Sequence, residues 1–428
     1  MVLEIRLKNF FSIKDEIILD FMAAKMNSEG AKTLSRNVIN YNGKKILKTL
    51  GLFGANASGK SNIIKAIKSC IQIILDSHQF NEGTIFNVFP FKFDEYVNKP
   101  SVFSIDFVQD GIEYEYSFTL NSKEILKESL FYYPNGRRAK IFIRDEPQSS
   151  NKMEIYNFSD GIITRPFDVA LNTSKKTLFL SRASQMDREL CKKLYRFFLQ
   201  DFLLGFAPLD FRTLGFSITN QLFTKNKDFI LHALSICDSD ISNIRIIYEK
   251  QKFPVLPQNN AVFISSPAAP TYDTFRFETY HKNNPDISFD LFSEESAGTT
   301  QLFSMLFFLL DVINNGKTFM LDEFDLSLHA KLAEFIIDLF HAGSSSQFVF
   351  TSHNTGLINV KRFRRDQILF TNKREDGSTE LYSLYDHKDF RENMDAEKGY
   401  LQGRFDAIPV IDNSVSAMKL LLNNNETA

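Results

Sequence analysis

The sequence predicts an α/β fold with three parts: a strand–loop–helix phosphate cradle, an antiparallel β layer beside it, and a mainly helical insertion. Three observations carry this. "LGLFGANASGKSNIIKAIKSC", residues 50–70, runs an apolar strand into G-x-x-x-x-G-K-S and then into a helical pattern. Residues 102–120, "VFSIDFVQDGIEYEYSFTL", alternate apolar and polar on both sides of Asp110-Gly111, a dipeptide suited to a tight primed turn. "DRELCKKLYRFFLQDFLL" aligns Leu190, Leu194, Phe197, Phe198 and Phe202 on one helical stripe.

Taken in chain order, residues 2–7 and 16–21 read as two strands joined by a turn near Ser12–Asp15. "ILKTLGLFG" reads as a buried strand ending at Gly54. The helix after the loop carries apolar residues at 63, 64, 67, 70, 71, 74 and 75. Strand-like runs at 128–133, 139–143 and 153–158 extend the antiparallel layer. "KDFILHALSICDSDISNI" predicts a helix ending near Asp238, and the four prolines of "FPVLPQNNAVFISSPAAPTYD" predict a loop. Three segments are expected: 1–180 with the P-loop, a mainly helical insertion over 181–275, and a second lobe over 276–428. No heptad run, internal repeat or low-complexity tract is seen.

The 428 residues suffice for one large core or two modest ones. At 43% hydrophobic and 24% charged, the composition is that of an ordinary globular protein. No Trp and 44 Phe place aromatic packing almost entirely on Phe. A formal net charge of −2 gives no global attraction to nucleic acid or anionic lipid. Cys70, Cys191 and Cys237 show no metal-ligand spacing, and a reducing cytoplasm is the expected compartment. The N-terminus lacks a signal pattern, and the longest apolar run, "LFSMLFFLLDVI", is broken by Asp311. No membrane partner is expected.

Four motifs carry chemistry. In the first, Gly54, Ala55, Asn56, Ala57, Ser58, Gly59, Lys60 and Ser61 form a loop whose backbone N–H groups face phosphate oxygens at a helix N-terminus. Lys60 is expected to reach the β- and γ-phosphates and Ser61 to ligate Mg²⁺. In the second, "KTFMLDEFDLSLH" (317–329), an apolar strand ends in Asp322-Glu323. One carboxylate there can serve the Mg²⁺ shell and the other can orient or deprotonate water. In the third, "FVFTSHNTGLI" (348–358), His353 follows a second buried strand. In the fourth, "SEESAGTTQLFSMLFFLLDVI" (293–313), a small polar loop opens an apolar helix 24 residues before Asp322 (322 − 298). Ser296 is its N-cap candidate.

The order of these motifs resembles the ABC ATPases of the SMC, RecF and OLD group. Within that group the chain resembles the stand-alone prokaryotic AAA/ABC-type ATPases, to which RloA-like and AriA-like (PARIS) subunits of anti-phage systems belong. "LKNFFSIKDEIILDF", "PFKFDEYVNKPSVFSIDF", "DEFDLSLHAKL", "RRDQILFTNKREDGSTELYSL" and "YLQGRFDAIP" carry the likeness over nearly the whole chain. The resemblance implies ATP and Mg²⁺, with two heads sandwiching two ATPs. It makes Ser296 and Gly298 the signature that grips the γ-phosphate bound to a second subunit. Asp322 becomes the Walker B metal ligand, Glu323 the catalytic base, Asp325 to His329 the D-loop and His353 the switch histidine. Lys60 joins the catalytic set, and Phe11, Ser12 and Asn62 complete the expected nucleotide contacts. Thr299 and His329 stand where transporter heads carry Gly and Asp, and Gln148 is a poor match for the Q-loop.

The expected function is a nucleotide-gated scaffold or sensor of an anti-phage defence system. It would control a separately encoded effector, a nuclease, and answer to a phage-derived trigger protein. The chain ends shortly after "DAIPVI", so the nuclease is expected on another chain. The alternative is an SMC/RecF-like DNA-repair clamp, which predicts a basic channel or long arms. A transporter head is set aside, because 237 residues separate Lys60 from Gly298 (298 − 61). "KRFRRD" (361–366) reads as a solvated, ion-paired edge. Tyr400, Gly403, Arg404 and Pro409 lie in the family-like tail.

Overall fold

A computed structural model describes residues 1–26, 29–149, 151–207, 209, 216–236, 240–252, 271–326, 328–391 and 393–408. Cys237, Asp238, the proline-rich 253–270, Ser327 of the D-loop and Pro409 therefore lie outside the described residues. The chain divides into two compact units: Met1–Gln200 with Val349–Ala428, and Asp201–Phe348.

The first unit contains a seven-stranded antiparallel sheet. Its order is Tyr156–Phe158, Ala139–Asp145, Ile125–Tyr132, Ile112–Leu120, Ser101–Gln109, Val2–Lys8, Ile17–Asp20. The central hairpin turns at Asp110 (φ +48°) and Gly111 (φ +75°), the left-handed pair that the Asp-Gly dipeptide predicts. Its buried face is aromatic: Phe107 stacks on Phe197 at 4.4 Å, and Phe103 meets Phe118 at 5.2 Å.

One charged cluster is buried behind this sheet. The Arg144 guanidinium donates to Glu146 (2.9 Å) and to the Thr177 and Ser174 carbonyls. Glu128 accepts the N–H groups of Phe179 and Leu180 and the hydroxyl of Tyr116. Burial raises the Glu128 carboxyl above its ordinary range despite Arg144 and these donors. The cluster ties the start of helix Phe179–Gln185 to the sheet.

The same unit holds a parallel pair. Strand Thr49–Gly54, buried at every position, lies beside Ile368–Lys373, which pairs antiparallel with Thr379–Ser383. Helix Lys60–Asp76 follows and buries Ile63, Ile64, Ile67, Cys70, Ile71 and Ile74. "KRFRRD" is ion-paired as expected, but only part of it is a solvated edge. Arg364 is buried in a two-point pair with Asp366, and both bond the Ala24 backbone. Gln367 next to it bonds Thr49 at the start of the P-loop strand. Arg364 and Asp366 thus form a buried brace inside a run whose Lys361 is exposed, which its composition does not reveal.

In the second unit, Phe202–Phe206 runs parallel to Thr318–Asp322. Strands Ile241–Lys252, Thr271–His281 and Asn284–Asp290 form an antiparallel sheet. Phe277 centres its core, with Phe303 at 4.9 Å and Phe223 at 5.0 Å. Helix Phe216–Ile236 starts eleven residues (227 − 216) before the segment expected as a helix, which begins at Lys227, and strand Ile241–Lys252 was not legible. A register shift between Ile241 and Asn243 interrupts the pairing at its start, and Asn243 to Lys252 then pair without a break. Helix Ala297–Asn315 is the one described helix long and apolar enough to cross a bilayer, yet it buries Leu302, Phe303, Met305, Leu306, Phe307 and Leu309 in this unit.

Candidate functional site

The P-loop strand delivers Gly54 at φ +155°, and Gly59 precedes the helix at φ +110°. A Cβ on Gly59 would lie 1.9 Å from the Thr379 hydroxyl, and one on Gly54 would lie 2.4 Å from the Thr371 carbonyl. Only glycine fits either place. Ala57 takes a left-handed φ of +62° between them. Lys60 is 4% exposed, and its ammonium donates to the carbonyls of Gly54 (2.8 Å) and Ala55 (3.0 Å). The loop thus curls around the lysine head at the positive end of a 17-residue helix.

A chain of hydroxyls holds the loop from behind. Ser58 Oγ meets Thr371 Oγ1 at 2.6 Å, and Thr379 Oγ1 donates to the Ser58 carbonyl at 3.0 Å. The Thr379 hydroxyl also meets Ser12 Oγ at 2.7 Å, and Asn62 donates to the same Ser12 hydroxyl at 2.8 Å. Ser12 and Asn62 therefore sit together beside the loop, tied to it and to each other. Phe11, at φ +51°, donates its N–H to the Phe89 carbonyl and packs on the Phe89 ring.

His353, in the first unit, follows strand Gln347–Thr351, whose residues from Val349 belong to that unit. The Ser352 N–H donates to the Leu52 carbonyl of the P-loop strand, and Phe350 packs on Phe53 at 6.0 Å. The histidine loop therefore opens from a segment lying alongside the P-loop strand. Asn354 shapes it by accepting the Gly356 N–H, and Thr355 anchors it to Glu397. His353 itself is exposed.

In the second unit, strand Thr318–Asp322 is buried throughout and leaves Asp322 6% exposed. Glu323 follows, exposed, with φ +51°. Left-handed backbone costs a non-glycine residue roughly 1–2 kcal/mol, and such strain gathers at functional sites. His329 caps helix Ala330–Ala342 by accepting the Lys331 N–H on Nδ1. Aspartate caps helices in the same way, so the departure at this position preserves the local geometry. Ser296 caps helix Ala297–Asn315, accepting the Thr299 N–H at 3.1 Å, as the sequence predicts. Gln148 is exposed and bonds Asp145.

Residues 50–359 match the family described as "AAA domain, putative AbiEii toxin, Type IV TA system". The chain belongs to this AAA family. Among curated proteins nothing matches. Among solved structures, three SMC heads are similar over 89% of this chain. An SMC head bound to the C-winged helix domain of ScpA is 16% identical, with 97% of it covered and a TM-score of 0.40. The SMC head domain from Thermotoga maritima is 13% identical, with 98% covered and a TM-score of 0.39. An SMC head with an extended coiled coil, bound to the C-terminal domain of ScpA from Pyrococcus furiosus, is 14% identical, with 96% covered and a TM-score of 0.38.

The donor set of this AAA-family P-loop is backbone N–H groups at a helix start, the Lys60 ammonium and the Ser61 hydroxyl. It suits a polyphosphate. Among the described residues no cluster of three His, Cys, Asp or Glu side chains is placed to hold a metal.

Sequence reasoning did not single out Thr371 and Thr379, the residues that brace the loop. They lie over 300 positions after it, inside "ILFTNKREDGSTELYSL", a segment marked only as family-like. Thr379→Val keeps the shape and removes the hydroxyl shared by Ser12 and Ser58. Leaving the Ser58 carbonyl without this donor is expected to cost about 1–3 kcal/mol, read by denaturant unfolding, together with weaker nucleotide binding.

Proposed function

We propose that this chain is a Mg²⁺-dependent, ATP-hydrolysing ABC-type ATPase with composite sites completed by a second copy. In this reading it is a cytoplasmic, nucleotide-gated scaffold or sensor of a prokaryotic anti-phage system. It restrains or licenses a separately encoded nuclease effector and answers to a phage-derived trigger. The observation that carries the enzymatic part is Glu323: a carboxylate on strained, exposed backbone directly after a buried strand ending in Asp322. The family's description as a putative toxin of a toxin–antitoxin system supports the defence setting.

When bound, Mg²⁺ supplies charge neutralisation across the phosphates. The residues of the chain do the rest. Gly54–Gly59 and the helix start orient the phosphate chain, and Lys60 moves its ammonium from loop carbonyls to phosphate oxygens. Ser61 and Asp322 are the proposed metal ligands, and Phe11, Ser12 and Asn62 line the nucleotide side. Glu323 accepts a proton from the attacking water, and His353 holds the γ-phosphate oxygens. Ser296 and Gly298 close on the γ-phosphate carried by the other copy.

The test is co-expression of a Glu323→Gln chain with its neighbouring genes, followed by pull-down in ATP and Mg²⁺. A stoichiometric protein partner free of nucleic acid is the expected result. Duplex DNA with no protein partner would replace the effector reading with an SMC/RecF-like clamp.

A further inference from the structure

The loop that opens helix Ala297–Asn315 is held by a histidine that the motif reading did not use. His281 ends strand Thr271–His281, and both of its ring nitrogens meet carboxylates. Nδ1 lies 2.7 Å from Asp240 Oδ1, and Nε2 lies 2.9 Å from Glu295 Oε1. Glu295 immediately precedes Ser296. It is 10% exposed and is gripped a second time by the Thr279 hydroxyl on the same strand. The far face of the imidazole packs edge-on against Phe289 at 4.8 Å.

Only an imidazolium can donate from both nitrogens. A neutral ring keeps one N–H and must turn a lone pair toward the other carboxylate. The charged groups facing the ring are Asp240, from the segment before strand Ile241–Lys252, and Glu295, from the loop itself. Burial draws the His281 pKa down, but the hydrogen bond to Asp240 and the charge of Glu295 outweigh it, and the net shift is upward.

We propose that His281 is a positioning residue for the Ser296–Gly298 loop, a proton-dependent latch that fixes Glu295 and so aims the loop at the γ-phosphate of a second copy. The inference rests on the reading of Ser296 and Gly298 as that grip. A raised folded-state pKa means that the latch is fully engaged below the ordinary histidine value and released as pH rises through the raised one.

The experiment has two parts on the full chain. Histidine Cε1–H resonances are titrated by NMR, with His281 identified among the seven histidines by its loss in His281→Gln. A pKa above the ordinary histidine range is expected, and an ordinary or lowered value overturns the latch whatever the ATPase does. Turnover is then measured across the same pH interval. Wild type is expected to lose kcat as pH rises, with little change in KM. Glu295→Gln should flatten that profile, because a glutamine can donate to the neutral ring or accept from the charged one. His281→Gln should lower kcat evenly across the interval. An unchanged pH profile in Glu295→Gln overturns the proposal. A raised pKa combined with a Ser296→Ala chain of wild-type turnover overturns instead the reading of the loop as a phosphate grip.

Discussion

A Glu323→Gln chain is expected to bind ATP normally and to lose turnover by at least about 100-fold, the lower end of what a positioned general base contributes. The substitution keeps the size of the side chain on the +51° backbone and removes the carboxylate's charge together with its ability to take a proton. Glu323→Gly separates chemistry from strain. Glycine accepts left-handed backbone without the penalty of a side chain, so this chain is expected to unfold at higher denaturant while remaining as inactive as Glu323→Gln. Single-turnover hydrolysis and denaturant unfolding read the two effects. Wild-type hydrolysis in Glu323→Gln would remove the base assignment.

Lys60→Ala is expected to abolish nucleotide binding at concentrations that saturate Glu323→Gln. A hydrogen bond from a charged donor contributes about 1.5–3 kcal/mol, and each 1.4 kcal/mol is roughly a tenfold change in Kd. The loss of phosphate contacts alone therefore lowers affinity by one to two orders of magnitude or more. The structure adds a second effect. The Lys60 ammonium is bonded to the Gly54 and Ala55 carbonyls, so removing it also loosens the loop. Lys60→Arg tests the division: it keeps the charge, but a planar guanidinium does not match a compact ammonium inside this turn. It is expected to recover part of the stability and little of the affinity, as read by thermal unfolding and isothermal titration.

Local chemistry made much of this legible. Gly54, Gly59, Asp110-Gly111 and the Ser296 cap each force a backbone shape from a few neighbouring residues, and the structure has each of them. The helix after the P-loop was legible because Ile63, Ile64, Ile67, Cys70, Ile71 and Ile74 repeat with its turn. The braces were not. Thr371 lies on the strand that pairs with the P-loop strand from the other end of the chain, Gln367 in the turn just before that strand and Thr379 on the strand beyond it, and no local pattern marks a polar side chain that will be buried there. Arg364 read as surface because its partners, Asp366 and the Ala24 backbone, close over it only in the fold. His281 carried no motif at all. Its role arises where Asp240, Glu295 and the end of a strand converge.

The claim on which the account depends is that each site is completed by a second copy, and complementation tests it directly. Lys60→Ala has no working P-loop. Gly298→Glu sets a carboxylate at the helix start that is meant to meet the γ-phosphate. Each chain alone is expected to be inactive, and ATPase activity is measured after mixing them. The account predicts that the mixture regains turnover that neither parent has, because the intact P-loop of one copy then faces the intact loop of the other. A mixture of two folded chains as inactive as its parents would contradict it.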